Sequence, residues 1–273
     1  MSMKDKVSSA LLTDMGRVRA NNEDAVAEDV NLGLFVLADG MGGYNAGEVA
    51  SGITIASVLD TVRRDAKTLI RDKVDPASGH SHEALMLRNA IETAHTTIYH
   101  VSQSQPQCAG MGTTVVACML HHDRLSIAYV GDSRLYRLRS QVLEQITRDH
   151  SLLEELIARG HYSRPEAMKM VRKNIVTRAL GVEPEVTVDL IEETVEAGDI
   201  ILLCSDGLSD MCDHETIRKI LVEYADNLGR AAEKLIEAAN ARGGKDNISV
   251  VLARINQGFM RKAGWFNRLV DWF

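Results

Sequence analysis

The order of segments along the chain predicts an α+β fold, a sheet core with helices outside it. Three observations carry this reading. Apolar runs of strand length stop at Asp or Gly, as in LFVLADGMGG (34–43), LSIAYVGDSR (125–134) and DIILLCSDG (199–207). Two longer stretches instead repeat apolar residues at helical spacing. The two kinds of segment do not alternate as βαβ units would; strands come in runs and helices in pairs.

Taken in order, 8–13 reads as a strand and Asp14-Met15-Gly16 as a turn, followed by the polar cluster RVRANNED (17–24). The run 34–38 reads as a buried strand that ends at Asp39-Gly40 and enters a glycine-rich turn. Residues 48–63 predict a helix, with Val49, Ile53, Ala56 and Leu59 on its apolar face. A polar connection (67–81) leads to a stronger helix over 83–102, whose apolar face is Leu87, Ile91, Ala94, Ile98 and Val101. Strands follow at 113–121, 125–130, 134–139 and 142–146. Ser151, with Glu154 three residues on, is a capping-box start for a short helix over 151–159. The basic stretch 165–180 reads as a second helix that ends at Gly181, and 186–193 as an alternating strand. After the run at 200–204, helices are predicted at 214–224 and 229–241, the second closed by Gly243-Gly244. The last strand is 248–255.

Composition narrows the function. The chain has 273 residues with a net charge of −7, which argues against a nucleic-acid surface. No apolar run approaches the roughly 20 residues that span a bilayer, and the N-terminus lacks a signal-type apolar region. The four cysteines show no CxxC spacing, so neither a zinc site nor a disulfide framework is expected. These features predict a cytoplasmic protein.

The chemistry concentrates in aspartates. Asp39, Asp132 and Asp206 each stand at the end of a predicted strand, and Asp246 in GGKDN precedes one. Any one Asp-Gly pair is ordinary turn chemistry; three long apolar runs each ending in Asp, plus Asp246, point to a converging acidic centre. Such a centre needs cations, because close like charges repel. Ligation by oxygen alone selects Mg²⁺ or Mn²⁺ over Zn²⁺ or Cu²⁺. Arg19 lies in the polar cluster beside this centre, and a guanidinium is the natural bidentate partner of a phosphate. Metal ions with an arginine suggest phosphoryl chemistry.

At this point the residues match a family. The chain resembles the metal-dependent protein phosphatases of type 2C in their bacterial form. The matching blocks, in family order, are DMGRVRANNED (14–24), LFVLADGMGG (34–43), GMGTTVVACML (110–120), AYVGDSRLYRLR (128–139), ITRDHS (146–151), NIVTRALG (174–181), DIILLCSDGLSD (199–210) and GGKDNISVVLARI (243–255). The resemblance implies a central antiparallel β-sandwich between helical layers, with a binuclear metal cleft at one edge. It implies that Asp39 bridges two metal ions, that Gly40 offers one of them its carbonyl, and that Asp206 and Asp246 ligate the other. Glu23 and Asp24 would act through waters, Arg19 would bind the substrate phosphate, and Asp132 with Asp206 would hold a weaker third ion. Residues 149–179 would form a flap beside the cleft. The activity implied is hydrolysis of phosphoserine and phosphothreonine in proteins by in-line attack of a metal-bridging water, reversing a bacterial serine/threonine kinase.

Two positions depart from the family pattern. Met41 and Tyr44 stand where some members carry histidine, so protonation of the leaving group falls to metal-bound water. None of the nine histidines has a catalytic motif; His150, next to Asp149 near the flap, is the one candidate to watch. A catalytically inactive type 2C-like regulatory module is the alternative from another class; the presence of Asp39, Asp206 and Asp246 counts against it. A two-metal nuclease is disfavoured by the acidic charge, and GMGGYNAGE lacks the Lys-Ser/Thr end of a P-loop. The catalytic domain is expected to span 1–256. Beyond it, Phe259, Phe266 and Phe273 share one face of a projected helix with Arg261 and Arg268 opposite, an amphipathic tail that either folds back on the domain or docks on a partner or membrane surface.

Overall fold

The computed structural model describes residues 3, 6–43, 46–70, 73–160, 162–171 and 175–257. Two antiparallel sheets stack face to face. One runs β1 (Val7–Asp14), β11 (Ile248–Ile255), β10 (Ile200–Cys204), β7 (Arg134–Arg139) and β8 (Val142–Gln145); the other runs β2 (Asp24–Asp29), β3 (Leu34–Met41), β5 (Val115–His121), β6 (Arg124–Val130) and β9 (Asp189–Thr194), with the two-residue β4 (Gly112–Thr113) on the end of β3. Helices α1 (Ala46–Asp65) and α2 (His82–Ser104) cover the second sheet. The short turn α5 (Asp206–Ser209) with α6 (His214–Glu223) and α7 (Leu228–Ala241) covers the first. The expected α-β-β-α sandwich is what the chain forms.

The strand pleat explains why the central runs are apolar throughout. In β3, Leu34 and Val36 face the helices, while Phe35 and Leu37 face the opposite sheet. In β10, Ile200, Leu202 and Cys204 face α6 and α7, while Ile201 and Leu203 meet the other sheet. Successive side chains alternate between faces, so a strand buried on both needs apolar residues at every position. Each such Leu, Ile or Phe contributes about 1.5–3 kcal/mol on burial.

Helix α2 buries the expected face, and Ser81 caps it by accepting from the Ala84 N–H. Helix α1 does so only in part: Ile53 and Leu59 of the predicted face pack against the core, but Val49 and Ala56 are exposed, and the fully buried positions are Ala46, Gly47, Ala50, Ser51, Thr54, Val58, Thr61 and Val62. Small residues let α1 lie close to β3, and the Thr54 hydroxyl is satisfied by the Ala50 carbonyl. The predicted 165–180 helix is also corrected. Among the described residues of this stretch only α4 (Arg164–Met170) is helical; Val176 bridges Ser151 and Leu180 bridges Thr113, so 175–181 is held as extended backbone against its neighbours. It follows α3 (Leu152–Ala158), whose cap is Ser151 as expected. Strand β2 has no clear sequence signal, because DAVAED is polar and only half-buried at a sheet edge. Residues 258–273, where the C-terminal helix is expected, and Tyr44 lie outside the described residues.

Candidate active site

The cleft opens at one edge of the sandwich and is lined by Arg19, Glu23, Asp39, Gly40, Asp132, Asp206 and Asp246, among others, around a volume of about 240 Å³. Every predicted site residue except Asp24 lines it. The elements that bring them there differ from the expectation in detail. Asp39 is not at a strand end: β3 continues through Gly40 and Met41, with Asp39 directly opposite Asp24 of β2 and Gly40 opposite Thr113. Asp206 does not end a strand either but opens the helical turn α5 behind Ser205. Asp132 follows β6 after Gly131, whose φ of +109° turns the chain there. Asp246 leads into β11.

Gly40 shows why the strand can carry a reactive carboxylate. A Cβ at this position would sit 2.2 Å from the Gly47 carbonyl oxygen and 2.5 Å from that of Glu23. Strands β2, β3 and the start of α1 therefore close to a distance that only glycine permits. Gly207 does the same opposite, where a Cβ would meet the Asn247 carbonyl oxygen at 2.0 Å. That contact seats the Asp206 turn on the Asp246 turn.

Hydroxyl and amide groups fix the carboxylates. The Asp39 carbonyl accepts from the Thr113 hydroxyl at 2.8 Å and from the Thr114 N–H at 2.9 Å. Asn247 donates from Nδ2 to the Met15 and Asn21 carbonyls and accepts from the Glu23 N–H. Ser205 donates to Asp24 Oδ2 at 2.8 Å and accepts from the Ser249 N–H. None of Thr113, Asn247 and Ser205 was singled out from the sequence; the available signal was a small polar residue at the margin of an otherwise apolar strand. Asp24 lies buried behind Asp39, and its Oδ1 has no hydrogen-bond partner among the described residues.

The electrostatics are those of a crowded anionic site. Burial, reinforced by the neighbouring carboxylates, raises the pKa of Asp39 and Asp206 well above the usual range. Burial, with Asp149 and Asp210 nearby, pushes Asp132 up to about 6, and burial pushes Asp24 up to about 6. Five carboxylates line the cleft (Glu23, Asp39, Asp132, Asp206, Asp246), and Arg19 is the one cation among the described lining residues. Its guanidinium donates to Asp246 Oδ2 at 2.7 Å, so the residue expected to receive a phosphate is paired with a neighbour in the cluster. An all-oxygen donor set with this excess of negative charge suits divalent cations. Among the described residues no three acidic or histidine side chains enclose a single point, so an ion here would complete its shell with a backbone carbonyl and water, as Mg²⁺ does.

His150, the one histidine singled out from the sequence, is structural. Its Nδ1 accepts from the Gly131 N–H at 3.0 Å, its Nε2 lies 3.2 Å from Asp189 Oδ2, and its ring stacks on Tyr129. Burial, aided by the Arg178 guanidinium, lowers its pKa. Arg134 makes a bidentate pair with Asp149 at 2.9 and 2.6 Å beside Asp132.

A β-sandwich between helical layers, carrying an edge cleft of aspartates with an arginine at its mouth, defines the class of hydrolases that act on phosphate esters through a carboxylate centre. Within that class the protein phosphatase 2C family model matches residues 12–248, and the chain belongs to this family. It is 39% identical over 243 residues to the serine/threonine phosphatase stp of Listeria monocytogenes, covering 88% of this chain and 92% of that protein. The catalytic domain of the serine/threonine protein phosphatase PstP, solved with two manganese ions, superposes with a TM-score of 0.78 at 36% identity, covering 92% of this chain and 99% of that one; the PstP relative is from Mycobacterium tuberculosis. PppA, a key regulatory component of T6SS in Pseudomonas aeruginosa, superposes with a TM-score of 0.71 at 33% identity over 91% of this chain and 97% of that one. The activity is that of a protein serine/threonine phosphatase, acting on phosphorylated proteins. Among the described residues no helix is long and apolar enough to cross a membrane.

Proposed function

We propose that the chain hydrolyses phosphoserine and phosphothreonine at the carboxylate cleft, with two divalent ions held by Asp39, the Gly40 carbonyl, Asp206 and Asp246. The observation that supports this most directly is the excess of five carboxylates over one guanidinium in the cleft. The two manganese ions of the PstP catalytic domain support the same reading. Bound divalent ions lower the pKa of water and offset the charge that builds on phosphorus.

The chain's own residues divide the remaining work. Asp39 is held rigid by its backbone bonds to Thr113 and Thr114, which keeps its carboxylate in place through turnover. Glu23 and Asp24 orient waters at the edge and the rear of the cluster. Arg19, which pairs with Asp246 at the mouth of the cleft, would turn its fork to the phosphate oxygens were that carboxylate to hold a cation. Asp132 and Asp206 also wall a second cavity of about 30 Å³, room for a single ion or water, which supports a weaker third ion there. Whether Mn²⁺ or Mg²⁺ serves is a question of affinity at this oxygen set.

The test is hydrolysis of a phosphothreonine peptide with and without chelator. Activity should vanish in excess chelator and return with Mn²⁺ or Mg²⁺; full activity in chelator would falsify the mechanism. The opposing partner is proposed to be a serine/threonine kinase and the compartment the cytoplasm, with residues 1–256 as the catalytic unit and 149–179 as a flap. The tail beyond Gln257 is proposed to fold back or dock. A chain ending at Gln257 that keeps its melting temperature and peptide activity but loses partner or vesicle binding supports docking; a melting temperature several degrees lower supports fold-back.

A further inference from the structure

A second groove, of about 440 Å³, adjoins the catalytic cleft and shares Met41 and Val176 with it as a common wall. Its far side is apolar where Ala179, Val182 and Val186 line it, and acidic where Glu183 and Glu185 stand. Val182 is about half exposed, and both glutamates are exposed without an ion-pair partner among the described residues. The loop that builds the groove is held at several points. His95 of α2 accepts the Gly181 N–H at Nδ1 and lies within 3.3 Å of the Pro184 carbonyl through Nε2. Leu180 exchanges both backbone bonds with Thr113 of β4. Arg178, at the bottom, donates to Asp189 and to the Thr187 carbonyl, so its charge is already neutralised.

We propose that this groove is the subsite for the substrate polypeptide beside the phosphorylated residue, taking an aliphatic side chain against Val182 and Val186 and a Lys or Arg at Glu183 and Glu185. The inference rests on the reading of the adjoining cleft as the site of phosphate hydrolysis. Continuity of the two cavities across Met41 and Val176 is what selects a substrate chain as the occupant: a polypeptide with its phosphate among the aspartates has to leave the cleft over one wall, and this wall leads into a preformed groove. A loop already ordered loses little freedom on binding. The free acidic rim then favours a basic residue through attraction that salt screens.

The experiment compares two phosphothreonine peptides that differ only in carrying Lys or Glu at the flanking position, with para-nitrophenyl phosphate, which is too short to reach the groove, as the reference. For the E183K/E185K protein, kcat/KM relative to the reference should fall about fivefold for the Lys peptide and rise for the Glu peptide, and the difference should shrink at high salt. V182D should lower the relative kcat/KM of peptides with an aliphatic neighbour more than that of peptides with glycine there. Equal changes for both peptides, or no change for either, would overturn the groove's role while leaving the phosphatase reading intact. A parent protein inactive on all three substrates with Mn²⁺ present would overturn both.

Discussion

The guanidinium of Arg19 donates to Asp246 Oδ2 at 2.7 Å, although 227 residues separate the two in the chain. The pair is largely exposed, so the bond itself contributes little stability. Its significance is placement: it parks the cation proposed to receive the phosphate at the rim of the carboxylates proposed to hold the metal ions.

Arg19→Ala should therefore lower kcat/KM on a phosphopeptide by about tenfold to a hundredfold, the worth of one charge-assisted hydrogen bond. Metal affinity, read by calorimetry, should be unchanged or higher, because Asp246 is released. Loss of metal comparable to that in Asp39→Ala would count against the assignment.

The three central aspartates should behave as a unit. Asp39→Ala, Asp206→Ala and Asp246→Ala should each cut turnover by about three orders of magnitude or more, since several kcal/mol of transition-state stabilisation depends on the cluster. Combining any two should add less than about tenfold, because the first loss already disables the centre. Asp132→Ala should leave the two tight calorimetric events and remove a weak third one.

The pKa shifts predict a pH slope. For Asp24, Asp39, Asp132 and Asp206 the folded pKa lies above the unfolded one. The folded state then binds more protons, so the stabilisation is complete below about pH 4 and is lost as pH rises, through about 6 for Asp24 and Asp132 and through the raised values of Asp39 and Asp206. In chelator the melting temperature should fall between pH 5 and pH 7.5, and Asp24→Asn should flatten that slope. Mn²⁺ should raise it more at pH 7.5 than at pH 5, where protons compete for the carboxylates. A melting temperature that rises with pH in chelator would contradict the electrostatics described above.

Two glycines should respond in opposite ways. Gly40→Ala forces a methyl group onto two backbone oxygens and should destabilise by about 1–3 kcal/mol or more while abolishing activity. Gly52, exposed within α1 with open space around its Cα, should accept alanine with a gain of about 0.5–1 kcal/mol from helix propensity. Urea melts of the two variants check both signs.

The strands β3, β5, β6, β10 and β11 were legible because burial on both faces leaves a continuous apolar run. The helix α2 was legible because its stripe of Leu87, Ile91, Ala94, Ile98 and Val101 recurs at helical spacing. Strand β2 was not, because an edge strand with polar residues carries no run to read. The apolar face of α1 was partly misplaced because several of its fully buried positions are small or polar, such as Ala50, Ser51 and Thr54, while Val49 and Ala56 of the predicted stripe are exposed. The stretch 175–181 opens with three β-branched residues, Ile175, Val176 and Thr177, which favour extended backbone, and its backbone bonds go to Thr113 and His150; the predicted helix ran past that signal.

By itself the sequence determined the chemical inventory: aspartates beside apolar runs, an arginine ahead of them, no paired cysteines and no basic track. It also pointed to the layers, since a strand buried on both faces is apolar at every position, as in 115–120 and 200–204. Only the tertiary structure decided that Asp24 stands behind Asp39 rather than in the cleft, that Arg19 reaches Asp246, and that Gly40 and Gly207 let separate turns close on one another. Those relations depend on sheet register and on backbone contacts between segments as far apart as Gly16 and Gly244. A side chain's type is local, but which others it meets is set by packing of the whole core, where a shift of one residue in register would turn Asp39 from the cleft to the opposite face.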